Sequence, residues 1–108
     1  MVNSNPVDSR AIRYYIEENG QEVGRAFLYL IKNDINDRPY GLLEDVFIEE
    51  DFRGRGYGKE LIKTVLDAAK VNNCYKLIAT SRYARPKVHE LYKSFGFVDH
   101  GKEFRLDF

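Results

Sequence analysis

Three glycines at alternate positions, Gly54, Gly56 and Gly58, separate an apolar run from a helical pattern of apolar residues. The apolar run, residues 40–48, predicts a strand, and the pattern that starts after Gly58 predicts a helix. A turn in this place exposes backbone N–H groups at the start of a helix, where the helix dipole favours an anion. Glycines let the backbone come close to a phosphate because no side chain stands in the way. The turn therefore predicts an anion site between a strand and a helix.

The helix after the turn is predicted from apolar residues that recur with helical spacing. They are Leu61, Ile62, Val65, Leu66 and Ala69. The pattern stops near Asn72-Asn73, and residues 75–80 then predict a strand. Residues 42–80 thus form a strand-helix-strand unit, which should be a right-handed parallel crossover.

The first forty residues predict one hairpin and no helix. Strand-forming residues occupy 11–16 and 22–31, and Asn19-Gly20 between them suits the positive φ angles of a tight turn. These two strands are expected to pair antiparallel. A polar loop at residues 32–39 leads to the strand at residues 40–48, which is mostly apolar and should be central in the sheet.

The sequence after the fourth strand predicts a second helix and a final hairpin. Pro86 suits the first turn of a helix, and Gly96 suits its left-handed end. Phe97-Val98 and residues 104–108 then predict two strands around His100-Gly101. The predicted order is βββαβαββ. It corresponds to an α/β (α+β) fold with two helices on a mixed, mostly antiparallel sheet that contains a central parallel pair.

Length and charge limit the classes of function. The chain has 108 residues, enough for one domain over residues 1–108 with residues 1–9 as a loose tail. Seventeen Lys and Arg balance seventeen Asp and Glu, so no overall field draws the chain to nucleic acid or to an anionic membrane. Nucleic-acid binding through arginines such as Arg82 and Arg85 is therefore disfavoured. The single cysteine, Cys74, and the lack of a long apolar run predict a reducing, cytoplasmic setting.

The glycine spacing excludes two common nucleotide loops. A Walker loop needs G-x-x-x-x-G-K-[ST] and a dinucleotide fold needs G-x-G-x-x-G, and neither occurs at residues 53–59. The pattern still suits a diphosphate, because Arg53, Arg55 and Lys59 add positive charge to the glycine backbone. From the residues alone, a tight strand-to-helix turn with solvated arginines is the alternative.

Two longer segments resemble the signatures of the GNAT superfamily of acyl-CoA N-acetyltransferases. The first is residues 46–61, VFIEEDFRGRGYGKEL, in which an aromatic residue precedes the arginine and a long amphipathic helix follows the last glycine. The second is residues 85–97, RPKVHELYKSFGF, a helix with a tyrosine followed shortly by Gly-Phe. The resemblance extends over residues from about 11 to 108.

The resemblance implies that acetyl-CoA is the cosubstrate and that it binds where the third and fourth strands splay apart. The pantetheine arm would lie in the gap and add to the backbone of Val46, Phe47 and Ile48. The pyrophosphate would rest on the backbone amides of the turn, which are Arg53, Gly54, Arg55, Gly56, Tyr57, Gly58 and Lys59. The family implies direct attack of an amine on the thioester, without a covalent acyl-enzyme.

Direct attack requires an acid for the leaving thiolate and a base for the ammonium group. By the resemblance, Tyr92 approaches the coenzyme sulfur, and its phenol is protonated at neutral pH, which makes it the candidate acid; the alternative is a core aromatic residue. His89 is interpreted as structural or adjacent to the cofactor. No metal site is expected, because neither His89 nor His100 has a second ligand at metal-binding spacing.

Glu44 is the preferred base, and Asp45 or water is the alternative. Strand alternation puts Glu44 and Asp45 on opposite faces, with Glu44 on the face of Leu42 and Val46. Family members that use a carboxylate base often take it from this strand. The non-catalytic interpretation is that Glu44 forms an ion pair with an arginine.

The sequence departs from the family at its beginning, since most members start with a strand and two helices that cover the acceptor site. Residues 1–40 predict only a hairpin, which leaves the acceptor as an unidentified primary amine of a small molecule, a protein or a peptide. The exposed strands favour a homodimer. The expected function is acetyl-CoA-dependent N-acetylation, and the alternative is a non-catalytic acyl-CoA-binding or regulatory module.

Overall fold

A computed structural model describes all 108 residues. The strands are β1 (Arg10–Glu18), β2 (Gln21–Ile31), β3 (Tyr40–Ile48) and β4 (Leu77–Ala79), and the helices are α1 (Tyr57–Val71) and α2 (Pro86–Ser94). The sheet order is β1-β2-β3-β4, with β1 to β3 antiparallel and β4 parallel to β3. Residues 1–9 contain neither helix nor strand. The predicted class, a mixed sheet with two helices, is confirmed, but the parallel pair of β3 and β4 lies at one edge of the sheet and not in its centre.

The β1–β2 hairpin is closed by Asn19 and Gly20. Both residues have positive φ, 52° and 79°. This is the backbone that a two-residue hairpin turn requires, and Asn-Gly adopts it at low cost. The predicted hairpin is confirmed, and it extends two residues further on the Ile16 side than its apolar pattern indicated.

The core lies between α1 and one face of the sheet. Its members are apolar residues of β2, β3 and α1: Ala26, Leu28, Leu30, Leu43, Leu61, Ile62, Val65 and Ala69. Burial of each large aliphatic side chain stabilises the fold by about 1.5–3 kcal/mol. On α2, Leu91, Tyr92 and Phe95 pack against this cluster. Neither helix has the length and apolar content that crossing a lipid bilayer requires.

A β-bulge interrupts β3 at the position of the two carboxylates. The register with β2 shifts between Glu44 and Phe47, so that Asp45 and Val46 face a single residue of β2. Asp45 has a φ of 52°, a left-handed conformation that accommodates the extra residue. Val46 packs against the core on the side of Leu43, whereas Glu44 lies on the opposite face. The prediction that Glu44 and Val46 share a face is wrong, because alternation does not continue through a bulge.

The parallel pair is short, and it opens toward the turn. β3 and β4 pair only between Gly41–Leu43 and Leu77–Ala79, although β3 continues to Ile48. From Glu44 onward, the edge of β3 that faces β4 has no strand beside it. The predicted splay of the two strands is therefore present.

The predicted final hairpin is absent, and the observed order is βββαβα. Phe97 donates its N–H to the carbonyl oxygen of Tyr92 at 3.2 Å, and the two rings pack with centroids 5.3 Å apart. Phe97 therefore closes the end of α2 instead of starting a strand. Residues 98–108 form no backbone–backbone hydrogen bond. The alternation in residues 104–108 supplies a strand pattern, but no partner strand lies beside it in this chain.

Candidate functional site

The glycine turn joins the end of β3 to the start of α1 with an unusual backbone. Gly54 and Gly56 have φ angles of 79° and 84°, in the left-handed region, and Gly56 is the residue that precedes α1. A Cβ atom built on Gly54, Gly56 or Gly58 would meet no atom within 4 Å. The glycines are therefore not required by packing, and the space beside the backbone is open to a ligand.

The backbone N–H groups from Gly54 to Lys59 have no acceptor in the chain. None of them donates a backbone hydrogen bond, and the first amide of the helix to do so is that of Glu60, which bonds to the carbonyl oxygen of Gly56 at 3.1 Å. Amides in the first turn of a helix have no helical acceptor, and the dipole adds partial positive charge there. Consecutive free amides at a helix N-terminus form a site for a phosphate or diphosphate.

The cationic side chains of the turn are partly engaged by the protein itself. The Arg53 Nε atom donates to the carbonyl oxygen of Ile48 at 2.9 Å, and its guanidinium lies 5.6 Å from the centre of the Phe47 ring. Arg55 forms an ion pair with Glu18 at 3.3 Å. Lys59 forms no ion pair. Lys59 and the terminal nitrogens of Arg53 are thus the positive charges available to an anion.

Glu18 contacts the turn from the end of β1, which the sequence did not indicate. Besides its ion pair with Arg55, its carboxylate raises the pKa of Tyr57, chiefly through a hydrogen bond to the phenol. The pair is about half exposed, so its contribution to stability is small. Glu18 reaches the glycine turn because of the pairing register of the β1–β2 hairpin. That register could not be predicted from a local sequence pattern.

The three residues predicted to border the coenzyme lie at the open edge of β3. Val46 and Ile48 turn their side chains toward the core, and Phe47 turns its ring outward, where the guanidinium of Arg25 lies 4.8 Å from the ring centre. The edge of this segment that faces β4 is unpaired. An extended chain of a ligand therefore has room to lie along it.

Glu44 lies at the other end of the same open edge. Partial burial, followed by the nearby carboxylates of Asp45 and Glu103, raises the pKa of Glu44 above its ordinary value. Glu44 forms no ion pair, which argues against the interpretation that an arginine holds it. A carboxylate with a raised pKa accepts a proton more readily than an exposed one, as a general base must.

Tyr92 approaches Glu44 from α2. Its side chain is partly buried and packs against the core, and this burial raises the pKa of Tyr92, with the negative charge of Glu44 adding to the effect. The predicted acid and the predicted base are therefore near enough for the charge of Glu44 to act on the phenol of Tyr92. At neutral pH the phenol keeps its proton and can donate it.

His89 and Cys74 were also considered from the sequence, and both make contacts that stabilise the fold. The Nε2 atom of His89 lies 2.8 Å from the carbonyl oxygen of Arg82, which ties α2 to the loop before it. Cys74 packs against the core, and burial raises the pKa of its thiol, so the reactive thiolate is disfavoured. His89 and Cys74 both lie outside the group formed by the turn, the open edge, Glu44 and Tyr92.

Comparison with known proteins yields one family. The model of the acetyltransferase (GNAT) family matches residues 5–97. Among curated proteins, the glucosamine 6-phosphate N-acetyltransferase of Trypanosoma brucei brucei is 34% identical over 92 residues, which are 84% of this chain and 60% of that protein. The chain thus spans less than two thirds of the length of this relative.

Solved structures agree with this family. An acetyltransferase of Trypanosoma brucei superposes with a TM-score of 0.78 and 30% identity, over 91% of this chain and 69% of that one. Glucosamine-6-phosphate N-acetyltransferase from Arabidopsis thaliana superposes with a TM-score of 0.80 and 25% identity, over 91% of this chain and 67% of that one.

Proposed function

Because the chain belongs to the acetyltransferase (GNAT) family, we propose that it transfers the acetyl group of acetyl-CoA, the coenzyme that this family uses, to a primary amine. The observation that carries the proposal is the row of free backbone amides from Gly54 to Lys59 beside the unpaired edge of β3. The amides suit the pyrophosphate of the coenzyme, and the open edge suits its extended pantetheine arm.

Each residue at the site has a separate role in the proposed reaction. The bound coenzyme supplies an activated acetyl thioester. Glu44, whose raised pKa follows from burial and neighbouring carboxylates, takes a proton from the ammonium group of the acceptor. The partly buried phenol of Tyr92, whose pKa is raised, holds its proton at neutral pH and donates it toward the leaving sulfur. Val46, Phe47 and the turn amides hold the coenzyme in place between them.

The acceptor class follows from the relatives and not from a pocket in this chain. Both the Trypanosoma brucei brucei relative and the Arabidopsis thaliana structure carry glucosamine 6-phosphate in their names. We propose a small primary amine as acceptor, with glucosamine 6-phosphate as the first one to assay. Residues 1–40 form the β1–β2 hairpin and contain no helix.

The test is an assay of thiol release from acetyl-CoA with a panel of primary amines, after coenzyme binding has been confirmed by calorimetry. Amine-dependent thiol release is the predicted result. If the coenzyme binds and no amine gives release, the chain is a binding module and the proposed transfer is wrong. If the coenzyme fails to bind, the assignment of the turn is wrong as well.

A further inference from the structure

Two arginine side chains contact the ring of Phe47 on the outer face of the sheet, the face that turns away from the core. The guanidinium of Arg25 lies 4.8 Å from the centre of this ring, and that of Arg53 lies 5.6 Å from it. Arg25 is paired with Phe47 across β2 and β3, whereas Arg53 begins the glycine turn. The ring therefore holds two positive charges from separate elements close to each other.

Neither of these two guanidiniums is neutralised by a carboxylate. Arg25 and Arg53 form no ion pair, and Arg53 donates through its Nε atom to the carbonyl oxygen of Ile48. The carboxylate of Glu22 is already occupied, since its two oxygens accept from Arg13 at 2.7 and 2.6 Å. That hydrogen bond is the main cause that lowers the pKa of Glu22, and the charge of Arg25 adds a weaker effect. Two positive charges that lie together without a counter-ion attract an anion.

A phosphate monoester matches this pair of arginines better than a carboxylate does. The phosphate group carries between one and two negative charges at neutral pH and has three terminal oxygens, so it can accept from two guanidiniums at once. The planar guanidinium donates two parallel hydrogen bonds to such a group. A carboxylate has one charge and two oxygens, which a single arginine satisfies.

The two arginines lie beside the proposed base. Glu44 and Phe47 both face away from the core, on either side of the bulge in β3. Their partners on β2 are Phe27 and Arg25, which are two residues apart and therefore about 7 Å apart along the strand. A small molecule can thus present an amine to Glu44 and a phosphate to Arg25. In glucosamine 6-phosphate the amine and the phosphate are attached on opposite sides of one sugar ring, which is a span of this order.

We propose that Arg25, with the terminal nitrogens of Arg53, binds a phosphate monoester on the outer face of the sheet, separately from the pyrophosphate at the turn amides. Two molecules at the proposed active site can carry such a group. The acceptor amine can be a sugar phosphate, and acetyl-CoA has a 3′-phosphate on its ribose. The first source rests on the proposed function, whereas the second rests only on binding of the coenzyme.

Binding measurements with and without the phosphate group test this site. Calorimetric titrations compare glucosamine 6-phosphate with glucosamine, with and without coenzyme A present, and acetyl-CoA with 3′-dephospho-acetyl-CoA. The wild-type chain should bind the phosphorylated member of one pair about tenfold or more tightly, and Arg25→Gln should remove that preference. The pair that responds identifies the source of the phosphate. Because binding is measured without turnover, a chain that transfers no acetyl group still tests the site.

Arg25→Lys and Arg10→Gln are the matched variants, and circular dichroism checks that each variant folds. Lysine keeps the charge but lacks the planar fork, so Arg25→Lys should keep part of the preference, and it tests the site if Arg25→Gln does not fold. Arg10→Gln removes the same charge at an exposed position that pairs with Leu30, and it should bind as the wild type does. Equal affinities of the wild type for both members of each pair, or equal effects of Arg25→Gln and Arg10→Gln, overturn the phosphate site.

Discussion

Partial burial changes the pKa values of Tyr92 and Glu44 in the direction that suits the proton transfers we propose for them. The pKa of each is raised, Tyr92 mainly by burial and then by the charge of Glu44, and Glu44 mainly by burial and then by Asp45 and Glu103. A raised pKa keeps the phenol protonated over a wider range of pH, and it makes the carboxylate a stronger base. These changes follow from contacts that the folded chain creates between distant residues.

Replacement of Tyr92 by Phe tests the acid role. The change removes one oxygen and keeps the ring that packs against Phe97, so the fold should be retained. The value of kcat should fall by about 100-fold or more, while the affinity for acetyl-CoA stays the same. Tyr83→Phe is the matched control, because Tyr83 is 87% exposed. An unchanged kcat in Tyr92→Phe would show that the ring serves only in packing.

The pH dependence of kcat/KM tests Glu44. A base works only when it is deprotonated, so the rate should fall as the pH drops through the pKa of Glu44, which lies above the usual carboxyl value. Glu44→Gln should lower the rate and remove this acidic limb. Glu49→Gln, at an exposed position beyond the end of β3, should keep it. If the limb persists in Glu44→Gln and disappears in Asp45→Asn, the base is Asp45.

The sequence predicted these residues only in part. Tyr92 and the turn residues were predicted because their motifs consist of residues close together in sequence. Such motifs can be recognised without knowledge of the fold. The contact of Glu18 with Arg55 and the proximity of Glu103 to Glu44 join residues 37 and 59 positions apart. Contacts between residues so far apart in sequence depend on the pairing register of the strands and on the path of the chain. A local sequence pattern does not determine either of these.

At the scale of elements, the glycine turn is the feature that we propose to bind the pyrophosphate of the cofactor. Gly54→Ala should lower the free energy of unfolding by about 1 kcal/mol, because alanine is strained at a φ of 79°. It should also weaken acetyl-CoA binding by about tenfold or more, since the added methyl group occupies the space beside the free amides. Calorimetric titration and urea unfolding measure the two effects.

Asn73→Ala is the control for that substitution. Asn73 lies beyond the far end of α1 and also has a positive φ, 62°, so alanine is strained there as well. The loss of stability should be similar, and the coenzyme affinity should not change. If both variants lose affinity equally, the effect comes from general destabilisation and not from the turn.

The elements themselves were predictable where periodicity and turn chemistry agree. The bounds of β3 match the prediction at both ends, and α1 starts one residue earlier than expected. The bulge at Asp45 was not predictable, because it depends on how β3 pairs with β2. The final hairpin was predicted from alternation, yet a strand also needs an edge to pair with, and Phe97 packs on α2 instead.

At the scale of the whole molecule, the elements of the proposed coenzyme site lie in one continuous part of the chain. The turn, the splayed strands and both helices lie within residues 40–95, and the family model extends over residues 5–97. The chain spans 60% of the length of its Trypanosoma brucei brucei relative. The proposed coenzyme site is thus formed by this chain's own residues, whereas the proposed acceptor is inferred from the names of the relatives.

The central claim is that the free amides of the turn hold the pyrophosphate of acetyl-CoA. The most direct measurement is a titration of the isotopically labelled protein with acetyl-CoA, followed through its backbone amide NMR signals. The account predicts saturable shifts that are largest for the amides from Gly54 to Lys59, with further shifts along Val46 to Ile48. Saturable binding that leaves the turn amides unshifted, or no shifts at millimolar acetyl-CoA, would contradict it.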